Sequence, residues 1–116
     1  MVKLICFVRR KPGMSTEDFH DYWRSHHGPL VASTKSGQHA LRYEQNHRAG
    51  EPQDHLGAGD YDGVTIQWFA SVADFEASIR EDDYAAIAAD MPKFLDVDNL
   101  VWMLTDDAEV VWDNLS

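Results

Sequence analysis

From Val2 to Arg9 the chain is apolar at almost every position, with Leu4, Cys6 and Val8 on one side of an extended backbone and Ile5 and Phe7 on the other. Such a run predicts a β-strand covered on both faces, ended by the turn signal "KPG". At "MSTEDF" the period lengthens. Ser15 is placed as an N-cap, Asp18 as a weak capping-box partner, and Met14 with Phe19 as a hydrophobic staple. A helix from Thr16 to about Val31 puts Phe19, Tyr22, Trp23, His26 or His27, and Leu30 along one face, with Pro29 expected to kink or end it.

The stretch "HALRYEQNH" alternates as a second strand, with Tyr43, Gln45 and His47 on one face and Arg42, Glu44 and Asn46 on the other; His39 falls on the same side as His47. Arg48 to Asp60 is rich in Gly, Asp and Pro and reads as a mobile loop. "YDGVTIQWF" predicts a third strand, with Val64, Ile66 and Trp68 opposite Thr65, Gln67 and Phe69. Helical spacing of Val72, Phe75 and Ile79, then of Tyr84, Ile87, Ala88 and Met91, predicts a helix broken near Glu81 to Asp83. "NLVWMLT" is a fourth strand, apolar on both faces, and "AEVVWDN" is an apolar tail.

The order β-α-β-β-α-β defines an α+β, ferredoxin-like fold: an antiparallel sheet with two helices on one face. Residues 1–116 read as a single domain of this kind. Strands one, three and four are apolar on the second face too, and the chain has no further element to cover it. A second copy packed sheet on sheet is the economical cover, so a homodimer is expected, with the tail 106–116 docking on it.

Composition narrows the function. Ten basic against 20 acidic residues leave a formal charge of −10, which repels nucleic acid and anionic lipid. Arg9, Arg10 and Lys11 are the only basic cluster, with no aromatic residues interleaved for base stacking. No segment reads as a signal peptide or anchor, so a cytoplasmic protein without nucleic-acid or membrane partners is expected. The single cysteine, Cys6, reads as a small buried hydrophobe.

"MSTEDFHDYWRSHHGPLV", "RYEQNH", "YDGVTIQWF" and "DMPKFLD" together resemble successive blocks of the EthD-like family, within the larger group of dimeric α/β barrel proteins. The blocks fall within residues 2 to 104. The family's Phe-x-x-x-Trp-x-x-x-His pattern falls on Phe19, Trp23 and His27, followed by Pro29; its Tyr-x-Gln block on Tyr43 and Gln45; its Asp-Gly pair on Asp62 and Gly63; and its Asp-x-x-x-Phe-x-Asp block on Asp90, Phe94 and Asp96. The resemblance implies a homodimer whose sheets close into a barrel-like core, with a pocket in each subunit between the sheet and the first helix or loops. It also implies small-molecule metabolism: members are linked to degradation of an ether fuel additive alongside a monooxygenase system, and some fungal relatives to dehydration or decarboxylation of aromatic polyketides. The wider group includes cofactor-free oxygenases, isomerases, cyclases and haem-degrading proteins, so membership fixes a fold better than a reaction.

Metal and nucleophile chemistry find little support in the spacing. His20 lies six and seven residues from His26 and His27, where a shared metal needs helical ligands three or four apart. His39 and His47 would sit about 26 Å apart along a strand. No protein-only metal site is expected; a haem held by one histidine stays open. Neither a nucleophile elbow nor a glycine-rich phosphate loop is present, and no organic cofactor is expected.

Acid-base chemistry in an apolar pocket remains. His27 is the candidate general acid/base, walled by Phe19 and Trp23, with Tyr43 and Gln45 to stabilise a developing enolate or oxyanion. His47 and Trp68 complete the candidate substrate contacts, although Trp68 and Trp102 also suit core or interface roles. The bland alternative is that His27 donates to a carbonyl freed by Pro29 while Tyr43 and Gln45 satisfy each other. His20, His26, His39 and His55 read as solvated, and Asp62 as a turn or strand-entry residue. Two functions follow: a small dimeric lyase, isomerase or cofactor-free oxygenase acting on an apolar or aromatic molecule, or a non-catalytic binding or accessory protein of an oxidation pathway.

Overall fold

A computed structural model of the chain describes residues 1–50 and 59–115. Four strands, β1 (Val2–Val8), β2 (Arg42–His47), β3 (Gly63–Phe69) and β4 (Val101–Thr105), form one sheet in the order β2-β3-β1-β4. Every neighbouring pair is antiparallel, with Ile5 opposite both Ile66 and Met103, and Gln45 opposite Thr65. The expected α+β ferredoxin-like topology is therefore present: β3 lies between β1 and β2, the hallmark of a split β-α-β unit.

The first helical segment differs from a plain α-helix. Ser15 caps α1 (Thr16–Tyr22) by accepting from the Asp18 amide at 3.1 Å. A π-turn then occupies Trp23–His27, closed by the Gly28 N–H on the Trp23 carbonyl, before α2 (Gly28–Ser33) resumes. Pro29 sits in the first turn of α2, where a missing N–H costs nothing, so the chain passes it by widening one turn instead of ending. A short α3 (Lys35–Gln38) follows, capped by Thr34. His39 stands at the end of α3 and not in a strand, correcting its expected place; before β2 begins, the Gln38 amide donates to the Thr34 carbonyl and the Leu41 amide to the Trp68 carbonyl.

The second helical segment breaks where expected, into α4 (Val72–Arg80) and α5 (Tyr84–Asp90). The break has a use. Asp83 within it accepts from the Lys35 and Ser36 amides at 2.7 and 3.0 Å, so this acidic run caps the neighbouring α3. All helices lie on the sheet face carrying Leu4, Cys6 and Val8, and Phe19, Trp23, Phe94, Leu95 and Val8 form the buried core there.

Arg10 donates to Asp62 at 2.7 Å and Arg9 to Asp60 at 3.2 Å, so the basic cluster is largely spent on internal pairs. Asp62, at the entry to β3, is buried and also accepts the Arg10 amide, which ties that strand entry to the residues after β1. Beyond β1, the Lys11 amide donates to the Phe94 carbonyl and the Asp96 amide to the Arg9 carbonyl, which anchors the segment after α5 against the sheet. Val110, Val111 and Trp112 of the tail are exposed on their own chain. Most of the loop expected to be mobile, including His55, lies outside the described residues.

Candidate functional site

Two helical segments bring the site together. His27 leaves the π-turn toward the core, and Asp90 ends α5 beneath it, with Asp90 Oδ2 2.8 Å from His27 Nδ1. Tyr22 donates its hydroxyl to the other carboxylate oxygen, Oδ1, at 2.5 Å, and Lys93 Nζ lies 3.9 Å from the same atom. Phe94 packs under the group, its ring centroid 4.7 Å from that of His27 and 5.2 Å from that of Tyr22.

These contacts and burial act in opposite directions on the charge states. Burial acts to raise the Asp90 pKa, but the hydrogen bonds from Tyr22 and His27 outweigh it and hold the carboxyl below its ordinary value. Burial lowers the His27 pKa, against the pull of Asp90, so the imidazole is neutral at pH 7. Tyr22, bonded to that carboxylate, is pushed up to about 12 and stays a donor. A neutral His27 facing an ionised Asp90 must carry its proton on Nδ1, which leaves Nε2 with an open lone pair. Nε2 has no hydrogen-bond partner among the described residues.

His27 lines a cavity of about 470 Å³ between the helices and the sheet. Trp23, Phe69, Phe75, Phe94 and Trp102 give it aromatic walls; Tyr43, Thr65, Gln67, Ser36 and Ser78 place uncharged polar groups on them. Among the described residues no Lys, Arg, Asp or Glu lines it, so the cavity suits an uncharged, largely apolar molecule with a few oxygen functions. Cys6 also faces the cavity, its thiol pushed up to about 11 by burial and so unsuited to act as a nucleophile.

Tyr43 lines the cavity, while Gln45 stands behind it, donating from Nε2 to the Tyr43 hydroxyl at 3.0 Å and to the Trp23 carbonyl at 2.7 Å. Phe19 is fully buried against Trp23 and Phe94 and supports the wall from behind. His47 does not line this cavity; its Nε2 meets Gln45 Oε1 at 3.0 Å and its Nδ1 meets His20 Nδ1 at 2.6 Å. Trp68 is a correction. From β3 it pairs with Lys3 of β1 and Arg42 of β2 on the opposite sheet face, under the Arg42 guanidinium, because strand alternation sends Gln67 and Phe69 to the cavity instead.

His20 is thus half-buried and engaged with His47, and His39 meets Glu81 at 2.9 Å. Asp90 and Tyr22 were not foreseen as site residues; the signal was the block that placed Asp90 four residues before Phe94. Among the described residues no cluster of three or more His, Cys, Asp or Glu is placed to hold a metal ion.

The EthD domain matches residues 11–98, most of the chain, and the protein belongs to the EthD family. Solved structures agree on the fold. An ethyl tert-butyl ether D (EthD) family protein from Bacillus halodurans C-125 is 19% identical, with a TM-score of 0.70 over 93% of this chain and 99% of that one. A dimeric ferredoxin-like protein of unknown function from Thermobifida fusca YX is 18% identical, with a TM-score of 0.65 over 90% and 88%. SnoaB, a cofactor-independent oxygenase from Streptomyces nogalater, is 9% identical, with a TM-score of 0.65 over 97% of each chain. A search of curated proteins found no match. No helix among the described residues is long and apolar enough to cross a membrane.

Proposed function

We propose that the protein is a small-molecule enzyme that moves a proton on a neutral, apolar or aromatic substrate without an organic cofactor. The observation that carries this reading is the neutral His27, its Nδ1 held by Asp90 and its Nε2 free at the wall of an uncharged 470 Å³ cavity. His27 Nε2 takes a proton from an acidic C–H or O–H of the substrate, and Asp90 stabilises the imidazolium that forms. Tyr43, facing the same cavity, donates to the oxygen on which negative charge develops. Proton abstraction beside a carbonyl or phenol is the shared first step of isomerase, lyase and cofactor-free oxygenase chemistry. A fold shared with a cofactor-independent oxygenase is compatible with the last of these.

The active form is a homodimer. Ile5, Phe7, Val64, Ile66, Val101 and Met103 make the second sheet face apolar, and a second copy covers it; a fold neighbour is described as dimeric.

The test uses α-tetralone, a neutral bicyclic ketone with exchangeable α-hydrogens, in deuterated buffer. Wild-type protein should accelerate deuterium uptake catalytically, and His27→Ala should abolish the acceleration while leaving thermal unfolding nearly unchanged. Saturable binding of the ketone with no exchange would favour a binding or accessory protein instead.

A further inference from the structure

Behind Tyr43 runs a chain of hydrogen bonds whose direction is fixed at every link. It begins at a backbone carbonyl. Trp23 O can only accept, so the Gln45 atom 2.7 Å from it is the amide nitrogen, as placed. That settles both ends of the carboxamide. Nε2 spends one hydrogen on Trp23 O and the other on the Tyr43 hydroxyl at 3.0 Å, and Oε1 must receive the His47 Nε2 hydrogen at 3.0 Å. His47, with its proton on Nε2, has a bare Nδ1, so His20 must supply the hydrogen between the two Nδ1 atoms 2.6 Å apart. His20 is therefore the Nδ1–H tautomer.

The consequence falls on Tyr43. Its oxygen receives an amide hydrogen of Gln45, and an amide N–H₂ cannot accept one back, so its own hydrogen has no partner on that side. The hydroxyl hydrogen turns to the cavity that Tyr43 lines. An amide does not pass protons on as an imidazole does, so the chain orients and does not conduct. Local sequence protects it: a Cβ at Gly28 would stand 2.9 Å from Gln45 Nε2, and only glycine leaves the carboxamide room to reach Trp23 O.

We propose that His20, His47 and Gln45 are positioning residues that hold the Tyr43 hydroxyl as a hydrogen-bond donor into the cavity, aimed at a carbonyl or phenolic oxygen of the ligand. This rests on the acid-base reading only in taking Tyr43 to meet the substrate. None of the three residues touches the ligand; each acts through the next.

Two measurements test it. In ¹⁵N-histidine spectra of the wild-type protein at pH 7.5, His20 should be protonated on Nδ1 and His47 on Nε2; the opposite tautomer at either ring overturns the relay. The second follows the carbonyl stretch of ¹³C-labelled α-tetralone bound to the protein. The stretch should be lowered in wild type, return to its apolar-solvent position in Tyr43→Phe, and return partly in His47→Leu. His47→Gln, which keeps a donor at the reach of Nε2, should restore it. Gln45→Glu, whose carboxylate accepts from Tyr43 and turns the hydroxyl inward, should mimic Tyr43→Phe. Sensitivity to Tyr43→Phe with none to the His47 and Gln45 changes sinks the relay and leaves the role of Tyr43 intact. Loss of His27-dependent deuterium exchange, with the carbonyl shifts as expected, sinks the proton-transfer reading and leaves the relay standing.

Discussion

Asp90 Oδ2 lies 2.8 Å from His27 Nδ1 across 63 residues of sequence, and the Tyr22 hydroxyl holds the other carboxylate oxygen. Asp90 therefore fixes which ring nitrogen of His27 is the base. Replacing it with Asn substitutes an amide that, bonded to Tyr22 through its oxygen, turns its N–H₂ toward Nδ1 and favours the Nε2–H tautomer. Asp90→Asn should move the His27 proton to Nε2 in ¹⁵N spectra. Any His27-dependent exchange should fall by about 10²-fold or more, in line with loss of a positioned base. A proton that stays on Nδ1 in this variant would remove Asp90 from the mechanism.

Protonation of buried His27 and of half-buried His20 and His47 links stability to pH. The His47 pKa is lowered to about 4, by burial first and then by His20 and Arg24, and burial lowers those of His20 and His27 as well. Asp62 and Asp21 pull His20 the other way, and Arg24 and Arg10 reinforce the lowering. In the unfolded chain these rings titrate near 6.5, so the unfolded state binds more protons as pH falls below that value. Stability should thus be full above pH 6.5 and decline toward pH 4. His47 is partly solvated, and after allowance for solvent screening it accounts for about 1 kcal/mol of the loss. Urea unfolding at pH 7.5 and pH 5 measures the difference, and His47→Gln should flatten it; an unchanged midpoint would mean that the His20–His47 pair does not form in solution.

The strand and helix pattern was legible because burial imposes it directly. The two-faced run Val2 to Val8 becomes the central β1, and the Ser15 cap and the break before Tyr84 fall where side-chain chemistry puts them. Residue spacing made His27 legible only as one of two neighbours, and the resemblance to the family pattern chose between them. In an α-helix, residues four apart advance about 40° around the axis, so Phe19, Trp23 and His27 drift across the face. The π-turn at Trp23–His27 takes up that drift and turns His27 inward, leaving His26 exposed, stacked on Tyr22. Nothing in residue spacing announces a π-turn. Asp90 was hidden differently: a carboxylate on a helix reads as solvated until the fold brings Tyr22 and His27 to it.

Phe94 connects core to site. Fully buried, it touches Phe19 at a ring-centroid distance of 5.7 Å, Tyr22 at 5.2 Å and His27 at 4.7 Å. Phe94→Ala should cost about 3–5 kcal/mol by chemical denaturation, the usual loss for emptying such a site. Phe94→Leu should cost far less in stability yet loosen His27, giving exchange broadening of its ring signals. A sharp His27 resonance in Phe94→Leu would show that Asp90 alone orients the ring.

The second sheet face decides assembly. Val101 and Met103 on β4 are 50% and 59% exposed, and Phe7 on the adjacent β1 is 42% exposed. Three large apolar side chains side by side at the sheet surface form a patch of the kind that marks an interface. Ile5 and Ile66 continue it across the sheet, in register with Met103. Both strands are held by β-ladders, so a charge placed at Met103 disturbs no core contact. Met103→Glu should therefore leave the fold intact by circular dichroism and convert a dimer to a monomer in sedimentation. In a symmetric interface each substitution appears twice, which magnifies its effect. A dimer that survives both Met103→Glu and Phe7→Asp at micromolar concentration would place the interface elsewhere.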